Sequence, residues 1–345
     1  MNEGFELLAA RIDAVADELA RTLAPGAPGG GRMAALGAMV TTGAGGSEGP
    51  ARMFAAAWQN RGKCAEFAPL SSFANEADLA ALTPDRGLVV VSQGLCPNAL
   101  IALAAIERFT RTFVVTALAP DLSAAENSPA RLLAEAAERG ATVISHGPVE
   151  ERGLLVRVIG PAAAALALLA LASETSPPPD LPARYRFALA AAADRIAALG
   201  AVLPTSSTPA AEQRVALLTA GNYSPFAHGL RWKLFEATGI ADPPVWDVLQ
   251  FAHGPFQQLY SRPMLLCALE RPGDAPLFDR LAQLLVLGRH TLLRLPSALP
   301  PPWCWFEHDA AINALTLALL RARPIDLTRW PGQGADAAIY EWDGR

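Results

Sequence analysis

The chain has 345 residues, 52% of them hydrophobic and 18% charged, with a formal net charge of -5. This much apolar material excludes a disordered chain, and the slight acidity argues against a nucleic-acid binder that works through a basic face. The length suits about two domains, and the four cysteines, at 64, 96, 267 and 304, have neither CxxC nor zinc-ligand spacing, so no disulfide framework, metal or cofactor is expected.

The N-terminal MNEGFELLAARIDAVADELA is acidic and amphipathic, with Phe5, Leu8, Ile12, Val15 and Leu19 along one helical face. It lacks the basic start of a secretory signal, so the expected location is the cytoplasm. PGAPGGG then breaks the helix. Short apolar runs follow, each leading through a polar or glycine-rich turn to an alanine-rich segment: Met39 to Thr41 before Ala51 to Asn60, and Leu88 to Val91 before Ala99 to Phe109. Phe113 to Val115 and Ala141 to Ile144 have the length of buried strands. The longest apolar run, Ala162 to Ala172, spans 11 residues and is too short to cross a bilayer. SETSPPPD at 173–180 reads as a linker before a helix over Pro182 to Leu199. The second half repeats the pattern with VALLTAG at 215–221, a turn from Asn222 to Pro225 and a helix from Phe226 to Thr238. A strand near Trp246, Pro263 to Ala268, a helix around Leu281 to Val286 and Leu292 to Leu295 complete it.

Strands alternating with helices predict an α/β protein of two tandem three-layer α/β/α domains with mainly parallel sheets. The expected organisation is an N-terminal helix over 1–30, a first domain over 31–173, a linker and helix over 174–200, a second domain over 201–325 and a tail over 326–345. The tail is too rich in aromatics to be disordered, and it is expected near the active site or a dimer interface.

Several turns carry candidate chemistry. GAGGSEGPA at 43–51, with Gly45, Gly46 and Ser47, lies between a strand and a helix, where backbone amides can face an anion. It reads either as a ligand-binding loop or as a tight structural turn. It is not a dinucleotide fingerprint, because Glu48 stands where the third glycine is required. SQGLCPN at 92–98 occupies the same position one unit later, with Ser92, Gln93, Gly94 and Asn98 as candidate ligand contacts and Pro97 opening the next helix. Cys96 reads more readily as a small filler than as an activated thiol, because no base accompanies it locally.

In HGLRWKLFEATG, Lys233 and Glu236 lie three apart and can share a helix face. A partly buried glutamate there can move a proton between adjacent carbons of an open-chain sugar, and Lys233 can steady the developing charge. The plainer alternative is a surface ion pair. Only Lys63 and Lys233 are available as amines, so a Schiff base is restricted to those two. His253, in FAHGPFQQ, can exchange a proton with a ring oxygen near neutral pH; the second HGP, at 146–148, shows that the tripeptide also serves simply as a turn. Glu307, His308 and Asp309 read as a helix cap with a solvated polar turn rather than as a metal site, since neighbours in a helix point different ways.

Taken together, VTTGAGGSEGPA, VVVSQGLCPNAL, GNYSPFAHGLRWKLFEATG and FAHGPFQQ resemble the double-SIS sugar-isomerase family, which includes the isomerase half of glucosamine-6-phosphate synthase and the fructosamine-phosphate deglycases. The resemblance implies that Ser47 binds substrate and that Ser92 matches the first serine of a phosphate loop SxSGxT. Gly94 and Pro97 replace its second serine and its threonine. It further implies that Glu236 is the catalytic base with Lys233 beside it, and that His253 opens the ring from a partner subunit. The C-terminal lysine of many members is missing. The implied activity is a cofactor-independent aldose-ketose or amino-sugar isomerase acting on a small sugar-like ligand, phosphorylated or not, as a homodimer without nucleic-acid or membrane partners. A deglycase and a noncatalytic sugar-binding or regulatory protein are the alternatives.

Overall fold

The computed structural model describes residues 3–23, 37–147, 151–200, 214–260, 262–285, 290–323 and 325–344. PGAPGGG at 25–31 and Val286 lie outside them. The chain opens with α1 (Glu3–Thr22), whose Phe5, Leu8, Ile12, Val15 and Leu19 are all buried as their spacing requires. Then come β1 (Ala38–Thr42), α2 (Glu48–Asn60), β2 (Cys64–Phe67), α3 (Glu76–Leu82), β3 (Gly87–Val91), α4 (Pro97–Ala104), β4 (Arg111–Thr116), α5 (Pro129–Glu138), β5 (Thr142–Ser145) and α6 (Ile159–Ala172). The second half holds α7 (Leu181–Leu199), β6 (Val215–Thr219), α8 (Ser224–Thr238), β7 (Val245–Asp247), α9 (Val248–Ala252), α10 (Pro255–Gln258), β8 (Leu265–Glu270), α11 (Ala275–Leu285), β9 (Thr291–Pro296), α12 (Cys304–Ala322) and α13 (Ala337–Tyr340).

Every strand pairing among the described residues is parallel, with sheet orders β2-β1-β3-β4-β5 and β7-β6-β8-β9. The two halves are three-layer α/β/α domains, as the alternation of elements predicts. β3 (GLVVV) and β8 (LLCALE) are buried at every position, which explains why they read as continuous apolar runs rather than alternating ones. The apolar run at 162–172 belongs to α6, a helix buried on nearly every side. No described helix is long and apolar enough to cross a membrane.

The compact units interleave along the chain. One gathers the first sheet with residues 17–151, 159–177 and 330–345; the other gathers the second sheet with residues 1–16, 152–158 and 178–329. In the first unit Val40, Leu88, Val90 and Val114 of the sheet pack against Ile101, Leu103, Phe109 and Leu133. In the second, Ala216, Leu218, Leu266 and Ala268 pack against Phe251 and Phe278.

Two turns repeat between the units. Gly45 and Gly221 both adopt the left-handed region, at φ 54° and 58°, after an extended alanine, Ala44 or Ala220. A single 3-10 turn then leads into α2 or α8. A side chain with a Cβ is disfavoured at this φ, so glycine at this position of each strand-to-helix turn is a backbone requirement.

Candidate active site

In the first unit the order β2-β1-β3 makes β1 and β3 adjacent parallel strands at the point where the order reverses. The turns that follow them therefore lie at neighbouring points on the carboxyl edge of the sheet, the usual ligand crevice of such sheets. Gly45 is exposed with open space around it, and Gly46 and Ser47 are half-buried. Glu48 begins α2 immediately after Ser47, and its carboxylate pairs with Arg52 at 2.7 Å. A carboxylate in the first turn offsets the positive helix end that would otherwise draw a phosphate.

The loop after β3 is held by its own chain. Ser92 is buried, and its Oγ accepts the Cys96 amide at 3.3 Å and lies 3.9 Å from the half-buried Cys96 Sγ. Gln93 donates its side-chain amide to Glu151 at 3.1 Å, and the same carboxylate accepts the Ile159 and Gly160 amides at 2.9 and 2.8 Å. Glu151 thus caps α6 while fixing Gln93. Gly94 is exposed, whereas Leu95 adopts φ 52° with its side chain in the core. A non-glycine residue is costly there, and core burial of the leucine side chain is what holds it. Asn98 donates to the carbonyls of Ile339 and Trp342 at 2.9 and 2.7 Å, so the C-terminal tail lies against this loop.

In the second unit Glu236 occupies the last turn of α8, before Gly239 ends the helix in the left-handed region at φ 64°. Its carboxylate is half-buried and makes no hydrogen bond within the described structure. Burial pushes its pKa up from 4.5 to about 7, against the opposing field of Arg157. At neutral pH such a group both accepts and returns a proton.

Lys233, three residues earlier, turns into the core instead of joining Glu236. It is 3% exposed, and its Nζ lies 2.5 Å from Asp309 and 3.3 Å from Asn313 Oδ1. Tyr185 donates to the other Asp309 oxygen at 2.9 Å, and Asn313 donates to Tyr185 at 2.6 Å. This buried network ties α7, α8 and α12 together, so the surface Lys-Glu pair weighed above does not occur. His253 is exposed at the end of α9, and Gly254-Pro255 turns the chain into α10.

Glu307, His308 and Asp309 do not form the expected solvated turn: all three are buried in the first turns of α12. Each serves a different neighbour, because successive helical residues point about 100° apart. Glu307 accepts from the Ser297 hydroxyl and from the Ala298 and Leu299 amides. His308 sits between the Tyr223 hydroxyl at 2.8 Å and the Glu270 carbonyl at 3.3 Å, and burial pushes its pKa down to about 4. Its Nε2 faces a carbonyl and must donate, so Nδ1 accepts from tyrosine. Asp309 holds Lys233.

Sequence reasoning missed Arg157 and Glu151. Both lie in a stretch, EERGLLVRV, without a recognisable motif; the only available signal was a pair of carboxylates a few residues before the apolar run of α6.

No family model and no curated protein matches the sequence. Solved structures match its fold. Glucosamine-6-phosphate deaminase from Thermotoga maritima is 16% identical with a TM-score of 0.68, covering 94% of this chain and 97% of its own. The C-terminal domain of glucosamine-fructose-6-phosphate aminotransferase from Francisella tularensis is 13% identical with a TM-score of 0.64, covering 94% and 98%. Tagatose-6-phosphate ketose/aldose isomerase from Escherichia coli is 15% identical with a TM-score of 0.59, covering 94% and 93%. The chain therefore shares the fold of these solved structures over almost its full length.

Proposed function

We propose that this chain is a cofactor-independent aldose-ketose or amino-sugar isomerase in which Glu236 carries a proton between adjacent carbons of a small sugar-like substrate. One observation carries the reading: a half-buried carboxylate without a hydrogen bond among the described residues, pushed up to about 7, where an acid-base catalyst works best at neutral pH. The fold likeness to sugar-phosphate enzymes supports it.

The substrate in this reading lacks a 6-phosphate. Gly94 and Pro97 supply no hydroxyls, Ser92 already bonds the Cys96 amide, and Glu48 places negative charge at the start of α2. Gly45, Gly46, Ser47 and the backbone at Gly94 then hold sugar hydroxyls, with Gln93 and Asn98 shaping the loop. His253 handles the ring oxygen. Its exposure supports action across a homodimer interface, as does the exposure of Leu249 and Tyr260 on the same stretch of chain. Such an enzyme works in the cytoplasm without nucleic-acid or membrane partners.

The test is deuterium uptake from heavy water into a panel of phosphorylated and unphosphorylated keto and amino sugars, read by mass spectrometry, with Glu236→Gln as control. Uptake confined to unphosphorylated sugars and lost in the variant is the expected result. Bound sugars that never exchange would sink proton transfer and favour a binding protein; release of free amine from a sugar-amine adduct would favour the deglycase.

A further inference from the structure

A cavity of about 260 Å³ opens among α7, the end of β9 and α12, all within the unit that carries the second sheet. Glu236 and His253 take no part in it. Alanine leaves the space: Ala188, Ala191 and Ala192 share one face of α7, and Ala311 comes from α12, side chains too short to fill the volume beside Leu295.

Two charged groups interrupt these apolar walls. Glu307 is 6% exposed, yet only one of its carboxylate oxygens is used: Oε2 accepts the Ser297 hydroxyl and the Ala298 and Leu299 amides, the amides at 2.8 and 3.0 Å. Oε1 has no hydrogen bond among the described residues, and it is not sealed in the core, since it is absent from the buried side-chain atoms that lack a partner. The cavity that Glu307 lines is its opening. Three donors on Oε2 fix the carboxylate, so the chain itself presents Oε1 there. Arg195, one turn beyond Ala191 on the same face of α7, is the cation among the lining residues and forms no hydrogen bond or ion pair within the described structure. Phe187, at the rim, leaves a ring 75% exposed beside the apolar cavity.

A carboxylate oxygen among apolar walls calls for a cationic donor, and the guanidinium calls for an anion. The alanine wall and the Phe187 ring suit an apolar group rather than a polyol. The volume lies below the range usual for drug-sized ligands, which restricts the occupant to a small molecule. We propose that this cavity binds a free apolar α-amino acid of about the size of leucine. Its ammonium meets Glu307 Oε1, its carboxylate meets Arg195, and its side chain lies between the alanine wall and Phe187. The site is separate from the proton-transfer reading and stands whether or not Glu236 is a base.

The experiment is a ligand-observed NMR titration of the full-length protein with L-leucine, with 3-methylbutylamine, which is leucine without its carboxylate, and with 4-methylpentanoate, which lacks the ammonium. Leucine is expected to bind at least about tenfold more tightly than either. Arg195→Gln, at an exposed position, should weaken leucine about tenfold and leave the amine unchanged, whereas Glu307→Gln should weaken leucine and the amine together and leave the acid unchanged. Glu307 also holds the loop after β9, so thermal unfolding accompanies that variant. Ala191→Leu keeps a good helix former and fills the cavity; it carries the test if Glu307→Gln does not fold, and it should abolish leucine binding while unfolding stays cooperative.

No leucine binding up to about 10 mM would overturn the proposal. Leucine binding that survives Ala191→Leu would place the ligand elsewhere and overturn it too. Equal affinity for leucine and for the amine or the acid would reduce the cavity to a site for a single charge and refute the amino-acid assignment.

Discussion

Replacing Glu236 by glutamine should stabilise the protein while abolishing the proposed proton transfer. A carboxyl whose pKa rises from 4.5 to about 7 on folding holds its proton more tightly in the folded chain than in the unfolded one. Stability therefore falls as pH rises through that window. The full rise corresponds to about 3 kcal/mol, and solvent screening of a half-buried group reduces it to about 1–3 kcal/mol. Glutamine has nothing to ionise, so the variant escapes this cost. Urea unfolding of both proteins at pH 4, 5, 6, 7 and 8 reads the difference directly, since every other titrating group is common to the two. Near pH 4 the two should differ little; by pH 8 the variant should be the more stable by about 1–3 kcal/mol, with the change centred between pH 5 and 7. A difference that stays flat with pH would show that the carboxyl ionises normally in the folded chain, and the argument for Glu236 as a neutral-pH base would fail.

Lys233→Met leaves the Asp309 carboxylate buried without its cation and should cost about 3–5 kcal/mol by denaturant unfolding, whereas Lys233→Met with Asp309→Leu should recover much of the loss. Equal losses in the single and double variants would refute the buried pairing. His146 is buried with both ring nitrogens unpartnered among the described residues, and burial pushes its pKa down to about 4. The unfolded chain thus binds the extra proton first, and wild-type stability should drop by up to about 3 kcal/mol between pH 6.5 and 4 relative to His146→Leu, measured by thermal unfolding at each pH. Asn98→Ala removes both side-chain bonds to the tail, so hydrogen exchange in residues 337–344 should accelerate about tenfold at constant global stability; unchanged exchange would mean that other contacts secure the tail.

Two charged residues show how differently one sequence pattern can resolve. Lys233 and Glu236 lie three apart on α8, where isolated helices form surface ion pairs. Asp309, brought from 76 residues away, instead takes the lysine into the core. This leaves Glu236 without a cation of its own helix, and the pKa of about 7 depends on that separation. An adjacent ammonium would pull the carboxyl back toward its ordinary range.

Local pattern alone determined the elements that bury an apolar face or run. The stripe from Phe5 to Leu19, the runs in β1, β3, β6 and β8, and the alternation that implies parallel sheets were all readable, because side-chain periodicity and strand length are local properties. Pro97 and Gly45 likewise announced their turns through backbone chemistry. β2 went unread because CAEF is a short edge strand with exposed positions and little apolar content. α5 escaped because no buried run marks its half-exposed surface. What only the tertiary structure decided is the partner of each polar group. Glu307, His308 and Asp309 read as a solvated turn by composition, yet α12 is buried and each finds a different bond. Arg157 lies 79 residues before Glu236, and Glu151 bonds Gln93 across 58 residues. Hydrogen bonds and ionic fields depend on distances in space, which chain folding sets and which no spacing along the sequence encodes.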